Sequence, residues 1–238
     1  MKVLVLNGSP HRANGPTGQL TAALVSGMVE AGASVQTVNA YDAKVGGCLG
    51  CFACWTSSPG VCAVRDDMDD IISKLKQADI LVLATPVFCD GMTGRLKVIV
   101  DRMIPIVHGA TELREGHMRH IRRSTTKVHT IALVSSCGFV EEDNFDPLIM
   151  HVQGFAKHMG CVYAGALTLP GGLILSHLEA IRQTAREAGA ELIRSGAIPV
   201  RLQEAMFGHS CTPVEAVAGL NRNFDNPPEW NCPGEQQQ

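Results

Sequence analysis

The chain predicts a doubly wound α/β protein on five parallel strands, and three observations carry that expectation. Short runs of consecutive apolar, β-branched residues recur, as in strands covered on both faces. Segments with apolar residues at helical spacing separate them, the alternation of βαβ units. The first run, Val3-Leu4-Val5-Leu6, is closed at once by Asn7-Gly8-Ser9-Pro10, a turn suited to the end of a central strand.

Residues 2–6 are the first expected strand. A helix follows over 17–32: Thr17 can cap it, Leu20, Leu24, Met28 and Val29 recur at its period, and Gly32 stops it. The second strand is 35–38, and a helix over 67–77 carries Ile71, Ile72 and Leu75. Residues 80–84 are the third strand and 93–107 the next helix. A strand over 128–134, a helix over 142–158, a strand over 162–169 and a helix over 176–194 complete the series. Residues 1–195 thus read as one domain, interrupted at 43–66 by a cysteine-rich segment too long for a simple connection. Residues 196–238 hold five of the twelve prolines and no clear period. They read as an arm across a neighbouring subunit or as loop.

The 238 residues, 45% hydrophobic and 18% charged with a net charge of −3, suffice for one core that buries roughly three-quarters of the unfolded surface. A pI near 6.3 and the lack of a long basic run exclude nucleic acid as the main partner. The opening apolar run is shorter than a signal peptide or membrane span requires. A cytoplasmic protein without membrane partners is expected, its nine cysteines read as thiols or metal ligands before disulfides.

The loop from Asn7 to Thr17 places Ser9 and Thr17 hydroxyls, backbone N–H groups and a helix N-terminus around one hollow, which suits a phosphate. It holds neither Gly-x-Gly-x-x-Gly nor Gly-Lys-Ser/Thr, so dinucleotide and triphosphate loops lose ground. Gly8-Ser9-Pro10 followed by Asn14-Gly15-x-Thr17-Gly18 resembles the first flavin-phosphate loop of the flavodoxin-like NAD(P)H-dependent FMN reductases. Where that family has one Arg after the turn, this chain offers His11 and Arg12. Thr85-Pro86-Val87-Phe88-Cys89-Asp90-Gly91-Met92-Thr93-Gly94, with Lys97 and Asp101-Arg102 beyond, is similar to the family's second loop, with Cys89 in place of a usual aromatic residue. Ser135-Ser136-Cys137-Gly138 stands where the third loop would be. The resemblance implies FMN bound at these three loops and a sheet of order 2-1-3-4-5, whose strand ends converge on one crevice.

Cys48-x2-Cys51-x2-Cys54-x7-Cys62 is the sharpest motif. Four sulfurs point to iron–sulfur or zinc. Structural zinc usually takes two separated pairs, whereas a close triplet plus one more resembles ferredoxin-type ligation of a 4Fe-4S cluster. Free or redox-active thiols are the alternative. The spacing, followed by Asp66-Asp67, is similar to the compact cysteine motif of the iron–sulfur flavoproteins. Asp66 and Asp67 can also cap the next helix. Cys161 reads as a core residue, Cys89 and Cys137 as loop residues, and Cys211 and Cys232 have no metal spacing.

The resemblance implies an FMN-dependent oxidoreductase in which the flavin supplies the chemistry and no side chain acts as nucleophile. Electrons would come from a ferredoxin-like donor through the cluster, or from NAD(P)H in a cluster-free FMN or quinone reductase, and pass to a small acceptor. A homodimer or homotetramer is implied. Residues 108–127, with Arg114, Arg119, Arg122, Arg123 and Lys127, read as a solvated loop, or as a landing site for an acidic carrier or for NADPH phosphates.

Overall fold

The computed structural model describes residues 1–172, 178–207 and 211–225. Five parallel strands form the main sheet: β1 (Lys2–Asn7), β2 (Ser34–Asn39), β3 (Ile80–Pro86), β6 (Thr130–Ser136) and β7 (Val162–Leu169). They lie in the order β2-β1-β3-β6-β7, which is the expected 2-1-3-4-5 arrangement once an inserted hairpin is set aside. The strands alternate their side chains between two apolar layers, as a pleated sheet covered on both faces must. Leu4, Leu6, Leu81, Leu83, Ile131 and Leu133 face α2 (Met68–Gln77), α3 (Gly94–Asp101) and α4 (Asp146–Met159). Val3, Val5, Val82, Ala132 and Val134 face α1 (Pro16–Glu30) and α5 (Leu178–Ser195). Among the described residues no helix is long and apolar enough to cross a membrane.

Four stretches differ from the sequence expectation. The helix expected over 93–107 ends at Asp101, because Pro105 cannot continue it, and a 3-10 turn at Ile104–Ile106 leads into a strand. Residues 108–127, expected as loop, form most of an antiparallel hairpin of β4 (Val107–Arg114) and β5 (His117–Arg122). Its two-residue turn, Glu115 (φ 51°) and Gly116 (φ 76°), has the double positive φ that matches strand twist. Lastly, the stretch without a period carries α6 (Val200–Phe207) and α7 (Pro213–Asp225). Leu202 and Met206 of α6 pack into the same apolar layer as α1 and α5. The helix expected over 142–158 opens instead as a 3-10 turn, Glu142–Phe145, before α4. Residues 176 and 177 and Cys232 lie outside the described residues.

The outer layer rests on a close helix crossing. A Cβ at Gly27 of α1 would stand 1.8 Å from the Arg186 carbonyl oxygen of α5, and one at Gly189 would stand 2.0 Å from that of Leu24. Two backbones meet there with no room for a methyl group. Gly189→Ala is therefore expected to cost about 1–3 kcal/mol by overpacking. Thermal unfolding should read this as a fall of roughly 2–4 °C per kcal/mol; an unchanged midpoint would contradict the crossing.

Candidate functional site

The carboxyl ends of β1, β3 and β6 meet in one cleft of about 180 Å³. The turn after β1 is fixed by Asn7, whose Oδ1 accepts the Ser9 N–H at 3.0 Å and whose Nδ2 donates to Asn39 at 3.1 Å. Gly8 runs beneath α3: a Cβ there would lie 2.8 Å from Leu96 Cβ and from Thr93 Oγ1. Helix α1 then starts at Pro16 behind Gly15, with no side-chain cap and no acidic residue in its first turn. Its leading N–H groups and positive end are left to whatever enters the hollow. Thr17 Oγ1 and Ser136 Oγ, both buried, share a hydrogen bond of 2.6 Å that ties the first loop to the third.

Of the residues singled out in sequence, Ser9, His11 and Thr17 line the cleft from the first loop. Pro86, Val87 and Phe88 line it from the second, and Ser136, Cys137 and Gly138 from the third. The others shape these loops without lining the cleft. Arg12, at φ 53°, directs its guanidinium to Asp42, with Nε donating to Oδ1 at 2.6 Å. The hydrogen bond and the attraction hold the Arg12 guanidinium above its ordinary value and Asp42 below its own. Asn14 donates its N–H to the His11 carbonyl, and its own carbonyl accepts from Gln19. Gly18 is required by space, since a Cβ would fall 1.8 Å from the Arg12 carbonyl oxygen. Cys89 (φ 47°) and Asp90 (φ 61°) form a tight turn closed by reciprocal Phe88 and Gly91 backbone bonds. Met92 is buried, and Ser135 Oγ donates to the Thr85 carbonyl at 2.7 Å. Pro10, part of the Gly8-Ser9-Pro10 turn, also lines the cleft, and sequence reasoning passed over Pro16 and Gly172, which line it too. Gly172 follows β7, and only the folded sheet brings it against Pro16 and Ser136.

The second cluster is the cysteine-rich connection between β2 and α2. Cys48, Cys51, Cys54 and Cys62 all line one narrow hollow with Ile104 and Pro105 of the 3-10 turn. Burial pushes the Cys54 thiol up, and repulsion from Cys62, Cys48 and Cys51 adds to it. That mutual repulsion is the electrostatic reason such a set favours a cation. Cys54 is buried while Cys48 and Cys51 are exposed. Among the described residues no three His, Cys, Asp or Glu stand in a metal-ligating group. The donor set suits thiolate-held iron or zinc, with the sulfurs gathered rather than assembled.

Arg102, just past α3, anchors this segment. Fully buried, it forms an ion pair with Asp66. It also donates to the carbonyls of Gly46 (3.1 Å) and Val64 (2.8 Å) and to Cys62 Sγ (3.3 Å). Burial alone would raise the Asp66 carboxyl, but bonds from Arg102 and from the Gly46 and Met68 N–H groups outweigh it and hold the group low. Asp67 Oδ2 accepts the Lys44 N–H at 2.7 Å. The acidic pair thus braces the base of the insertion as well as the start of α2. Just past the hairpin, Arg123 donates to the Cys54 carbonyl at 3.2 Å, and within it His120 lies tilted against Trp55 at 4.6 Å between ring centroids. Part of the basic segment is therefore packed on the cysteine loop.

A carboxylate lowered in the fold contributes stability above its unfolded pKa, and that contribution is lost as pH falls through the folded value. Asp66→Asn should therefore lose about 3 kcal/mol near neutral pH, as broken buried pairs do. It should also show a flatter decline than the wild type below the ordinary carboxylate range. Urea unfolding at several pH values checks both; parallel curves would contradict the assignment.

The sequence profile of the NADPH-dependent FMN reductases matches residues 1–122. An iron–sulfur flavoprotein of Methanocaldococcus jannaschii is 34% identical over 147 residues, 57% of this chain and 74% of that protein. One from Methanosarcina thermophila is 32% identical over 104 residues, 44% of this chain and 53% of that protein, so the chain spans about half of that relative. An FMN-dependent NADH-azoreductase from Bacillus anthracis, solved in complex with FMN, superposes with a TM-score of 0.61 at 16% identity, covering 82% of this chain and 99% of that one. That likeness is one of fold. The chain belongs to the NADPH-dependent FMN reductase family, on the side of the iron–sulfur flavoproteins, and is an FMN-dependent oxidoreductase.

Proposed function

We propose that this protein relays single electrons from a ferredoxin-like donor, through a 4Fe-4S cluster held by Cys48, Cys51, Cys54 and Cys62, to FMN and on to a small acceptor such as oxygen, peroxide or a quinone. The observation that carries this reading is the gathering of all four cysteines on one hollow against a buried arginine. Thiolate-held iron supplies one-electron exchange, and flavin supplies one- or two-electron exchange. The relatives' names, iron–sulfur flavoprotein, support it.

The chain's own groups have separable tasks at the cleft. The first-turn N–H groups of α1, with Ser9 and Thr17, suit a phosphate. Val87, Phe88 and Ser136 to Gly138 line the part of the cleft open to a flat ring. His11 lies on the cleft against Gly15, its Cβ 3.0 Å from where a Gly15 Cβ would be, whereas Arg12 is engaged by Asp42. This favours His11 over Arg12 as the side chain that meets the phosphate. A second reading, a cluster-free reductase taking hydride from NAD(P)H, draws on the exposure of Cys48 and Cys51 and the lack of an assembled ligand group among the described residues.

Iron and acid-labile sulfide per FMN, measured on anaerobically purified protein, separate the two. About four of each per flavin is the outcome expected for a cubane; flavin without either overturns the relay and leaves the hydride-accepting reductase. For the phosphate, His11→Ala should weaken FMN by about tenfold, the worth of one charge-assisted hydrogen bond, with riboflavin affinity unchanged. Arg12→Ala should alter neither ligand appreciably. Equal losses for FMN and riboflavin in His11→Ala would remove His11 from that role.

A further inference from the structure

We propose that Arg102 is the positioning residue of the four-cysteine site, pinning Cys62 through its sulfur and raising the reduction potential of the iron–sulfur group held there. The inference rests on the relay reading above.

Arginine normally keeps its head in water, and burying it costs several kcal/mol unless the charge is paired. Arg102 has no exposed side-chain surface, and Asp66 is the carboxylate that pairs it. A guanidinium has five N–H donors in a fixed fork, more than one carboxylate can take. The surplus here goes to the insertion: Nη1 to the Gly46 carbonyl, Nη2 to the Val64 carbonyl and to Cys62 Sγ. Gly46 lies two residues before the first cysteine and Val64 two after the last, so one planar group holds both ends of the cysteine segment. The same orientation leaves Nε buried without a partner. The fork is thus spent on the loop rather than on full satisfaction of its own donors.

Cys62 is the sulfur that most needs such a hold. The other three fall within seven residues, but Cys62 returns only after Pro59-Gly60 and must be brought back to them. A hydrogen bond to a ligand sulfur draws charge from it and favours the more reduced state, and such bonds are among the determinants of iron–sulfur potentials. The step affected is the gain of one electron from a ferredoxin-class donor; no bond breaks and no proton moves. Lysine in this place would keep a charge for Asp66 but could not span Asp66 and Cys62 with one rigid fork.

The test uses the full chain, purified anaerobically, as wild type and Arg102→Lys. Iron and sulfide are counted, the midpoint potential is read by dithionite titration with EPR detection, and Fe–S stretching bands are compared by resonance Raman in H2O and D2O. The expected result is Arg102→Lys with iron and sulfide at or below wild-type content and, in the centres that form, a lower midpoint potential and loss of a D2O-sensitive band present in the wild type. A purely structural arginine would change content or stability and leave the potential of the remaining centres alone. An unaltered potential in iron-loaded Arg102→Lys overturns the proposal while the relay stands. A wild-type spectrum without D2O sensitivity does the same and needs no variant. Wild-type protein without iron or sulfide overturns the relay itself, and this inference with it.

Discussion

The contact on which the second site depends is a buried guanidinium. A connection from β2 to α2 that contains four cysteines, three glycines and a Pro-Gly turn sends only a few apolar side chains, Val45 and Trp55 among them, against the core. Ordering such a chain costs about 1–2 kcal/mol per residue in backbone entropy. What opposes that cost is concentrated at Arg102, where an ion pair and three further hydrogen bonds converge from residues 46, 62, 64 and 66. Arg102 stands at the end of α3, whose Leu96 and Ile99 are in the core. The anchor is thereby rigid with respect to the sheet. Trp55 adds a second hold, its indole N–H donating to the Ile104 carbonyl at 3.1 Å beyond the same helix.

The first site depends on a different constraint, the geometry of parallel strands. Because β1, β3 and β6 are neighbours in register, the chain leaves all three at one edge. Their loops are then bonded to one another rather than left as independent turns. Gly8 donates to the Ala84 carbonyl at 2.6 Å, Val87 to that of Ser136 at 2.9 Å, and Cys137 to that of Leu169 at 3.1 Å. A cleft built this way is set by backbone, which suits a site that must hold a rigid planar cofactor while supplying no covalent chemistry of its own. The same α3 that carries Arg102 packs over Gly8. One helix therefore supports the strand-end cleft at one end and the cysteine segment at the other.

The hairpin shows how a charged segment can be structural. Read as a run of cations, residues 108–127 suggest a surface awaiting an anion. Folded, Arg123 is committed to the carbonyls of Pro105 and Cys54, and Arg122 to that of Val128. His120 covers Trp55. Arginine stems cover apolar surface while their heads satisfy loop carbonyls, so charge count alone overstated what remained for a partner.

The alternation of strands and helices, the three loops at strand ends and the four cysteines are all legible in the amino-acid sequence. These are local patterns: buried parallel strands are apolar without interruption, turns need Gly and Pro, and ligand spacing is written in the chain. The hairpin escaped because its alternation is masked by long charged side chains, and α6 because its apolar face is short. Tertiary structure alone decided which of two adjacent residues, His11 or Arg12, lines the cleft, since that turns on a positive φ and on Asp42, thirty residues away from Arg12. It alone brought Gly172 to the cleft and joined Arg102 to Asp66 and Cys62 across 36 and 40 residues. Contacts at such separations are made by the packing of the sheet and its helices, because no local rule of spacing links one end of α3 to a loop that precedes it in the chain.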